Sequence, residues 1–327
     1  MLLLDRGDVA ALLSLPDCIE AVEQVFRRHA LGQVPVAPGV LGSHLGNGGF
    51  HVKTAAVGGS PGYFAAKVNA NFPQNPASFG LPAIQGVIVL FDTDSGRPLA
   101  LLDSSEITVL RTAAASAVAA RYLARAEAAT VTIIGCGVQG HGQLRALAHV
   151  LPIRRAFALD LDPSRARRFA EELAPRLGFA ISPTDDLAAA IAASDVCVTC
   201  TPARRPVFPV ALLRPGLFIA AVGADSPEKQ ELEPAVLQRS RVVVDVLDQA
   251  AAFGELHHAI AAGLLSASDV HATLGEVISG QRPGRSSAEE VFVFDSTGTA
   301  LQDVVAASLV YERAQGAGRG TRVELAQ

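Results

Sequence analysis

The stretch TVTIIGCGVQGHGQLRALAHV constrains this chain more than any other. Strand-forming residues run into Gly135-Cys136-Gly137-Val138-Gln139-Gly140, and apolar residues at helical spacing follow. In such a strand–turn–helix unit each glycine has its own duty. Gly135 permits the tight turn, Gly137 lets a pyrophosphate approach the backbone, and Gly140 allows close helix–strand packing. The N–H groups of the first helical turn then face the anion. Asp160 closes the next apolar run, RAFALD, twenty residues after Gly140, where a carboxylate accepts both hydroxyls of an adenosine ribose. The residue after it is Leu161, not an arginine that would hold a 2′-phosphate, so the expected cofactor is NAD rather than NADP. Arg165 and Arg168 on the following helix lie within reach of the adenosine edge.

The surrounding rhythm agrees with that unit. From Thr130 the chain alternates TVTII, a helix, AFALD, a charged helix, VCVTC, GLFIAAVG and RVVVDV, which predicts parallel βαβ units with helices on both faces. The first third reads differently. Residues 1–32 read as a helical start, with Ile19, Val22, Phe26 and Ala30 at helical spacing between Asp17 and Gly32. A Gly/Pro-rich connection follows, then the strand-like runs GFHVKTAAVGG and PGYFAAKVNANFP, and then GVIVLFDTDSGRPLALLD, a hairpin about the turn DTDSG. A long Ala-rich helix, DSSEITVLRTAAASAVAARYLA, opens with Asp103 and Glu106 spaced like a capping box. The C-terminus returns to FVFDSTG and the helix DVVAASLVYERAQ. The expected fold is α/β: a doubly wound Rossmann domain, residues 113–300, inserted in a split α+β substrate-binding and dimerisation domain of residues 1–112 and 301–327.

Composition removes other classes. Half of the 327 residues are apolar, 18% are charged and the net charge is −5 without long runs, so neither disorder nor a nucleic-acid partner is expected. No run of eighteen or more apolar residues predicts a membrane span, and the N-terminus has no signal-peptide pattern. Four cysteines point to the cytoplasm rather than to a disulfide scaffold. Cys197 and Cys200 form a C-x-x-C in SDVCVTCTP, but residues three apart on a strand point to opposite faces, which favours a structural role. His257 and His258 are adjacent and cannot clasp one metal from a helix face, so no metal is expected.

Three further positions carry candidate chemistry. If YFAAKVNANFP is a strand, Lys67 shares a face with Asn69 and Asn71, opposite an apolar face of Phe64, Ala66, Val68 and Ala70. In FHVKTA the same alternation aligns His51 with Lys53. Such a polar face is either a site or merely solvated. Arg111, in VLRTAAAS, is either a ligand for an anion or a surface ion pair. Asp225 follows the strand GLFIAAVG, at the carboxyl end where ligands of open α/β sheets sit, or else it caps the next turn.

The segments GYFAAKVNANFPQNPASFGLPAIQGVIVL, DSSEITVLRTAAASAVAARYLA, GCGVQG, VGADSPEKQEL and VFDSTGTALQD occur in the order of the ornithine cyclodeaminase/mu-crystallin family, which this chain resembles over essentially its whole length. Members of that family form or reduce the C=N bond of amino acids with bound nicotinamide. The resemblance implies that Lys67 binds the substrate carboxylate and assists proton transfer. It implies that Arg111 of the R-T-A-A motif lies between substrate and cofactor, with Thr112 beside it. Asp225 matches the acid that exchanges protons with the substrate nitrogen or the attacking group. Val138, Gln139, Asp160, Thr201, Val222, Gly223, Lys229 and Ser296 match positions that line the dinucleotide. A homodimer is implied as well.

The chain also departs from the family pattern. VPVAPGVLG lacks the cation found near this point in many members, and Lys53 is the candidate replacement. FHVKTAA lacks the acid with which cyclodeaminases meet the distal ammonium of a diamine. The expected activity is therefore an NAD-dependent oxidoreductase acting on a small L-amino acid or its imine or keto acid. The partner is a small-molecule amino acid or imine. The alternatives are an ornithine cyclodeaminase that recycles its NAD and, in another class, a non-catalytic binder of NAD(P)H or a small ligand.

Overall fold

A computed structural model describes residues 1–325. The chain divides into two compact units, Met1–Arg111 with Thr299–Gln327, and Thr112–Gly298. It opens with β1 (Leu2–Leu4), α1 (Arg6–Leu12) and α2 (Leu15–Ala30), a strand and two helices where the sequence suggests one helical start. Asp5 and Ser14 explain the break. Each accepts the backbone N–H of the residue three further on, Asp8 and Asp17, and so begins a helix of its own. Next come β2 (Val36–Leu45), β3 (Gly48–Val57), β4 (Tyr63–Asn71), α3 (Asn75–Phe79), β5 (Ile84–Asp92) and β6 (Pro98–Asp103). β2 corrects the reading of its stretch as a connection. Pro38, Gly39 and Gly42 argue against a central strand, but β2 is the edge of its sheet, where a missing N–H breaks no ladder. The β5–β6 turn is held by Asp92, whose Oδ1 accepts the N–H groups of Asp94 and Ser95.

α4 (Ser105–Leu123) follows. The capping box expected at its start does not form. Asp103 ends β6 and its Oδ1 accepts only as far as the Ser105 N–H, at 2.8 Å, while Glu106 pairs with Arg6 at 2.6 Å. The second unit then runs through β7 (Thr130–Ile134), α5 (Val138–Val150), β8 (Arg155–Leu159), α6 (Pro163–Leu177), β9 (Ala180–Pro183) and α7 (Leu187–Ala192). β10 (Val196–Thr199), β11 (Arg204–Phe208), β12 (Phe218–Ala221), β13 (Gln230–Leu232), α8 (Pro234–Gln238) and β14 (Arg241–Val244) continue it. α9 (Leu247–Phe253), α10 (Glu255–Ala261), β15 (Ala272–Thr273), α11 (Leu274–Ile278) and β16 (Phe292–Asp295) complete it. The chain returns to the first unit with α12 (Ala300–Ala317) and β17 (Thr321–Arg322).

The second unit carries an eight-stranded sheet in the order β15-β14-β16-β12-β10-β7-β8-β9, with every neighbouring pair parallel. Burial on both faces explains why β10, β12 and β16 are buried at every residue and why β10 and β12 read as unbroken apolar or small-residue runs, while β16 is apolar up to its last residue, Asp295. The strand order reverses between β7 and β10, the switch point of a doubly wound sheet. The first unit has a seven-stranded mixed sheet, β17-β1-β6-β5-β4-β3-β2, and α12 packs on β3 and β4. Lys53 lies directly opposite Lys67, and His51 opposite Asn69. The alternation along β4 is as the sequence suggests, but its polarity is inverted. Tyr63, Ala65 and Lys67 are buried, whereas Leu41, Phe50, Val68 and Val87 on the apolar face stay exposed. Among the described residues no helix is long and apolar enough to cross a membrane.

Candidate active site

In the first unit the buried ions centre on α12. Asp303, in its first turn, receives Lys67 Nζ at 2.8 Å on Oδ1 and 2.7 Å on Oδ2. Arg111 Nε lies 3.0 Å from Asp303 Oδ1, and Arg111 donates from NH1 to Gln302 Oε1 at 2.8 Å. Thr299 caps the helix and fixes this turn, since the Gln302 Oε1 also accepts the Thr299 N–H. Lys67 is 3% exposed and Arg111 5%, so neither the solvated strand face nor the surface ion pair describes them. Burial, aided by the nearby Arg111 and Lys53 cations, pulls the Lys67 ammonium down to about 7, against the opposing pull of Asp303. Burial pushes the Asp303 carboxyl up, but Lys67 and Arg111 outweigh it and hold the group below its ordinary value. Lys53, also buried, adds to that field.

In the second unit the glycine turn has the shape that its sequence predicts. Gly135 adopts a φ of +106°, and a Cβ there would meet the Cys200 carbonyl oxygen at 2.8 Å. A Cβ on Gly140 would lie 2.3 Å from the Gly135 carbonyl oxygen, so strand and helix touch at backbone distance. At Gly137 a Cβ meets no atom within 4 Å. Gly137 is the N-cap of α5 and has no side-chain cap, so no side chain takes the first-turn N–H groups. Exposed Val138 begins the helix, and the buried Gln139 Oε1 lacks a partner. Asp160, just past β8, accepts the Cys136 N–H at 2.9 Å and the Asp162 N–H at 3.0 Å, which fixes its carboxylate beside the turn. A cavity of about 540 Å³ is lined by Cys136, Gly137, Val138, Arg165, Arg168 and Phe169, among others.

Across the switch point, the ends of β10 and β12 are joined by one fully buried acid, Glu231 of β13. Its Oε1 accepts from Thr201 N at 2.5 Å and Thr201 Oγ1 at 2.8 Å, and its Oε2 from Thr199 Oγ1 and Gly223 N, both at 2.7 Å. Burial raises the Glu231 carboxyl above its ordinary value, while these donors pull the other way. Val222 is buried beside this junction and hydrogen-bonds the Thr199 carbonyl. Asp225 is 44% exposed in its side chain and receives Lys229 Nζ at 2.5 Å. Thr112, one residue past Arg111 on α4, and Ser296, just past β16, are both buried, and the Ser296 hydroxyl has no partner. Cys197 and Cys200 are free thiols, both raised in pKa, chiefly by burial. His257 and His258 hydrogen-bond the carbonyls of Ala251 and Lys229. Among the described residues no group of three or more His, Cys, Asp or Glu is arranged to hold a metal.

Sequence reasoning missed two acids. Asp303 sits inside the quoted segment VFDSTGTALQD, but an acid in the first turn of a helix usually serves only the helix dipole. Glu231 sits inside VGADSPEKQEL. Its signal is a lone carboxylate facing a strand core, visible only once QEL is known to be a buried strand.

Known proteins resemble this chain in sequence and fold over its full length. The alanine dehydrogenase of Archaeoglobus fulgidus is 38% identical over 324 residues, 99% of this chain and 98% of that one. The structure of an archaeal alanine dehydrogenase dimer with bound NAD superimposes with a TM-score of 0.93 at 37% identity, covering 99% of both chains. The Thermococcus litoralis Δ1-pyrroline-2-carboxylate reductase, in complex with NADH and L-proline, follows at 0.92 and 34% identity, covering 99% of this chain and 100% of that one. The sequence model of the ornithine cyclodeaminase/mu-crystallin family matches residues 1–318, and the chain belongs to that family.

Proposed function

We propose that this chain is an NAD-dependent oxidoreductase that interconverts a small L-amino acid with its imine or keto acid. It would act as an alanine-type dehydrogenase or as a ketimine or cyclic-imine carboxylate reductase. The observation that carries the reading is the buried Lys67–Asp303–Arg111 cluster, two cations sharing one acid and so suited to a carboxylate ligand. The glycine turn fits the cofactor: the space above Gly137 is clear, the α5 N–H groups are uncapped, and Asp160 stands at the strand end that meets a ribose. When bound, NAD supplies the nicotinamide that takes or gives the hydride.

The residues of the chain do the rest. Gly135, Gly137, Val138, Gln139, Gly140 and Asp160 hold the adenosine and pyrophosphate side, and Thr112, Thr201, Val222, Gly223, Lys229 and Ser296 line the remainder. Lys67 and Arg111, with Lys53, hold the substrate carboxylate at a fixed place. Lys67 titrates near neutrality and can therefore accept or release a proton at working pH. Asp225 exchanges a proton with the substrate nitrogen, and its charge favours the developing iminium. β3 and β4 carry no acid that would meet a distal ammonium, which favours net oxidation or reduction over cyclodeamination.

Two wider features follow. The exposed apolar residues Leu41, Phe50, Val68 and Val87 on one sheet face of the first unit suit a second copy of the chain, so we assign a homodimer. The free cysteines suit the cytoplasm. The test is a panel of L-amino acids with NAD, and of imines and keto acids plus ammonia with NADH. The expected result is a stoichiometric change in NADH absorbance. Product formation without net NADH would identify a cyclodeaminase, and tight dinucleotide binding without any turnover would identify a binder.

A further inference from the structure

We infer that Glu231 is the positioning residue of the nicotinamide half of the dinucleotide site and, through Gly223, of Asp225; the inference rests on the function proposed above. In a doubly wound sheet the first mononucleotide half, here β7, β8 and β9, carries the adenosine. The ends of β10 and β12 then carry the other half. The parallel pairing of β10 with β12 reaches Thr199 and Ala221, Val222 N–H bonds the Thr199 carbonyl, and beyond that point Glu231 ties Thr201 to Gly223. Each of its oxygens is shared: Oε1 takes both donors of Thr201, and Oε2 takes Thr199 Oγ1 and Gly223 N. The fit leaves no slack, because a Cβ on Gly223 would lie 2.3 Å from the Thr201 carbonyl oxygen and 2.5 Å from Glu231 Cδ.

Glu231 is itself held from behind. Glu255 of α10 accepts the Glu231 N–H at 2.6 Å and the Leu232 N–H at 3.1 Å. His258, one turn further along α10, bonds the Lys229 carbonyl at 2.7 Å. The segment from Gly223 to Leu232 is thus anchored at Gly223, Lys229, Glu231 and Leu232, with Asp225 and its Lys229 partner between the anchors. A carboxylate is required for the tie. An amide at this position replaces one acceptor oxygen with an NH2 group, and although the threonine hydroxyls can turn round, a backbone N–H of Thr201 or Gly223 is left buried without an acceptor.

The test uses the full chain as Glu231→Gln, with Thr199→Val as a near-isosteric second variant that removes one donor. NADH affinity is read by fluorescence titration, and steady-state kinetics are run with NADH and 4-deuterated NADH. For Glu231→Gln the NADH Kd should rise by about tenfold to a hundredfold. Its kcat should fall and its isotope effect change, while the imine KM moves by less than about threefold. Thr199→Val should shift the Kd in the same direction by about twofold to fivefold. A purely structural role would lower Tm yet leave Kd and isotope effect untouched in the folded fraction. An NADH Kd within about 1.5-fold of wild type in folded Glu231→Gln, or in Thr199→Val should the first variant not fold, overturns the inference. Wild-type protein that binds no dinucleotide overturns the functional reading itself.

Discussion

Lys67 and Asp225 divide the proposed chemistry between binding and proton transfer. Asp225→Asn keeps the size of the side chain but removes the charge and the exchangeable proton. Its kcat should fall by roughly two to four orders of magnitude with NADH affinity nearly unchanged, as steady-state assays and titration would show. Near-normal turnover would remove Asp225 from the mechanism. Lys67→Met should raise the substrate KM as well as lower kcat, because the cation is assigned to ground and transition states alike. The same lysine sets a pH dependence. Its native pKa of about 7 lies below the ordinary value of 10.5, so folding disfavours the ammonium. The cost is full below about 7 and is relieved as pH rises toward 10.5, so wild type should gain stability relative to Lys67→Met over that window in denaturant titrations. Asp303→Asn removes the charge that supports the ammonium and should move any activity limb governed by Lys67 to lower pH.

At the scale of the element, the turn between β7 and α5 makes two glycines separable by experiment. Gly140→Ala drives a methyl against the Gly135 carbonyl oxygen, 2.3 Å away, and should cost about 1–3 kcal/mol of stability. Gly137→Ala meets nothing in the chain and should leave Tm unchanged while weakening NADH, because the methyl occupies the space assigned to the pyrophosphate. Equal Tm losses in the two variants would show that Gly137 serves packing rather than binding. Five strands of the parallel sheet were legible in TVTII, AFALD, VCVTC, GLFIAAVG and RVVVDV because burial on both faces leaves largely apolar runs. The short edge strands β9 and β15 left no such run. β2 was not legible either, since Pro38, Gly39 and Gly42 carry a loop signature that only an edge position tolerates.

For the whole molecule the open question is the exposed apolar sheet face of the first unit. Val68→Glu places a charge among Leu41, Phe50 and Val87 and should convert the expected dimer to a monomer in sedimentation velocity. A dimer that survives the substitution, or a wild type that is monomeric at micromolar concentration, would place the interface elsewhere or remove it.

The sequence by itself determined the glycine turn, the strand that feeds it and the helix that leaves it, because those depend on residues adjacent in the chain. It also marked Lys67, Arg111 and Asp225 as the polar residues to watch. Tertiary structure decided which face of β4 is buried. Period-two alternation defines two faces without saying which is covered, and the rule of apolar inside gives the wrong answer here. It is α12, arriving 236 residues after Lys67 with Asp303, that makes it possible to bury an ammonium. Glu231 is the same case in the second unit: its partners at Thr199, Thr201 and Gly223 are separated in sequence and meet only because parallel strands end on one side of a sheet.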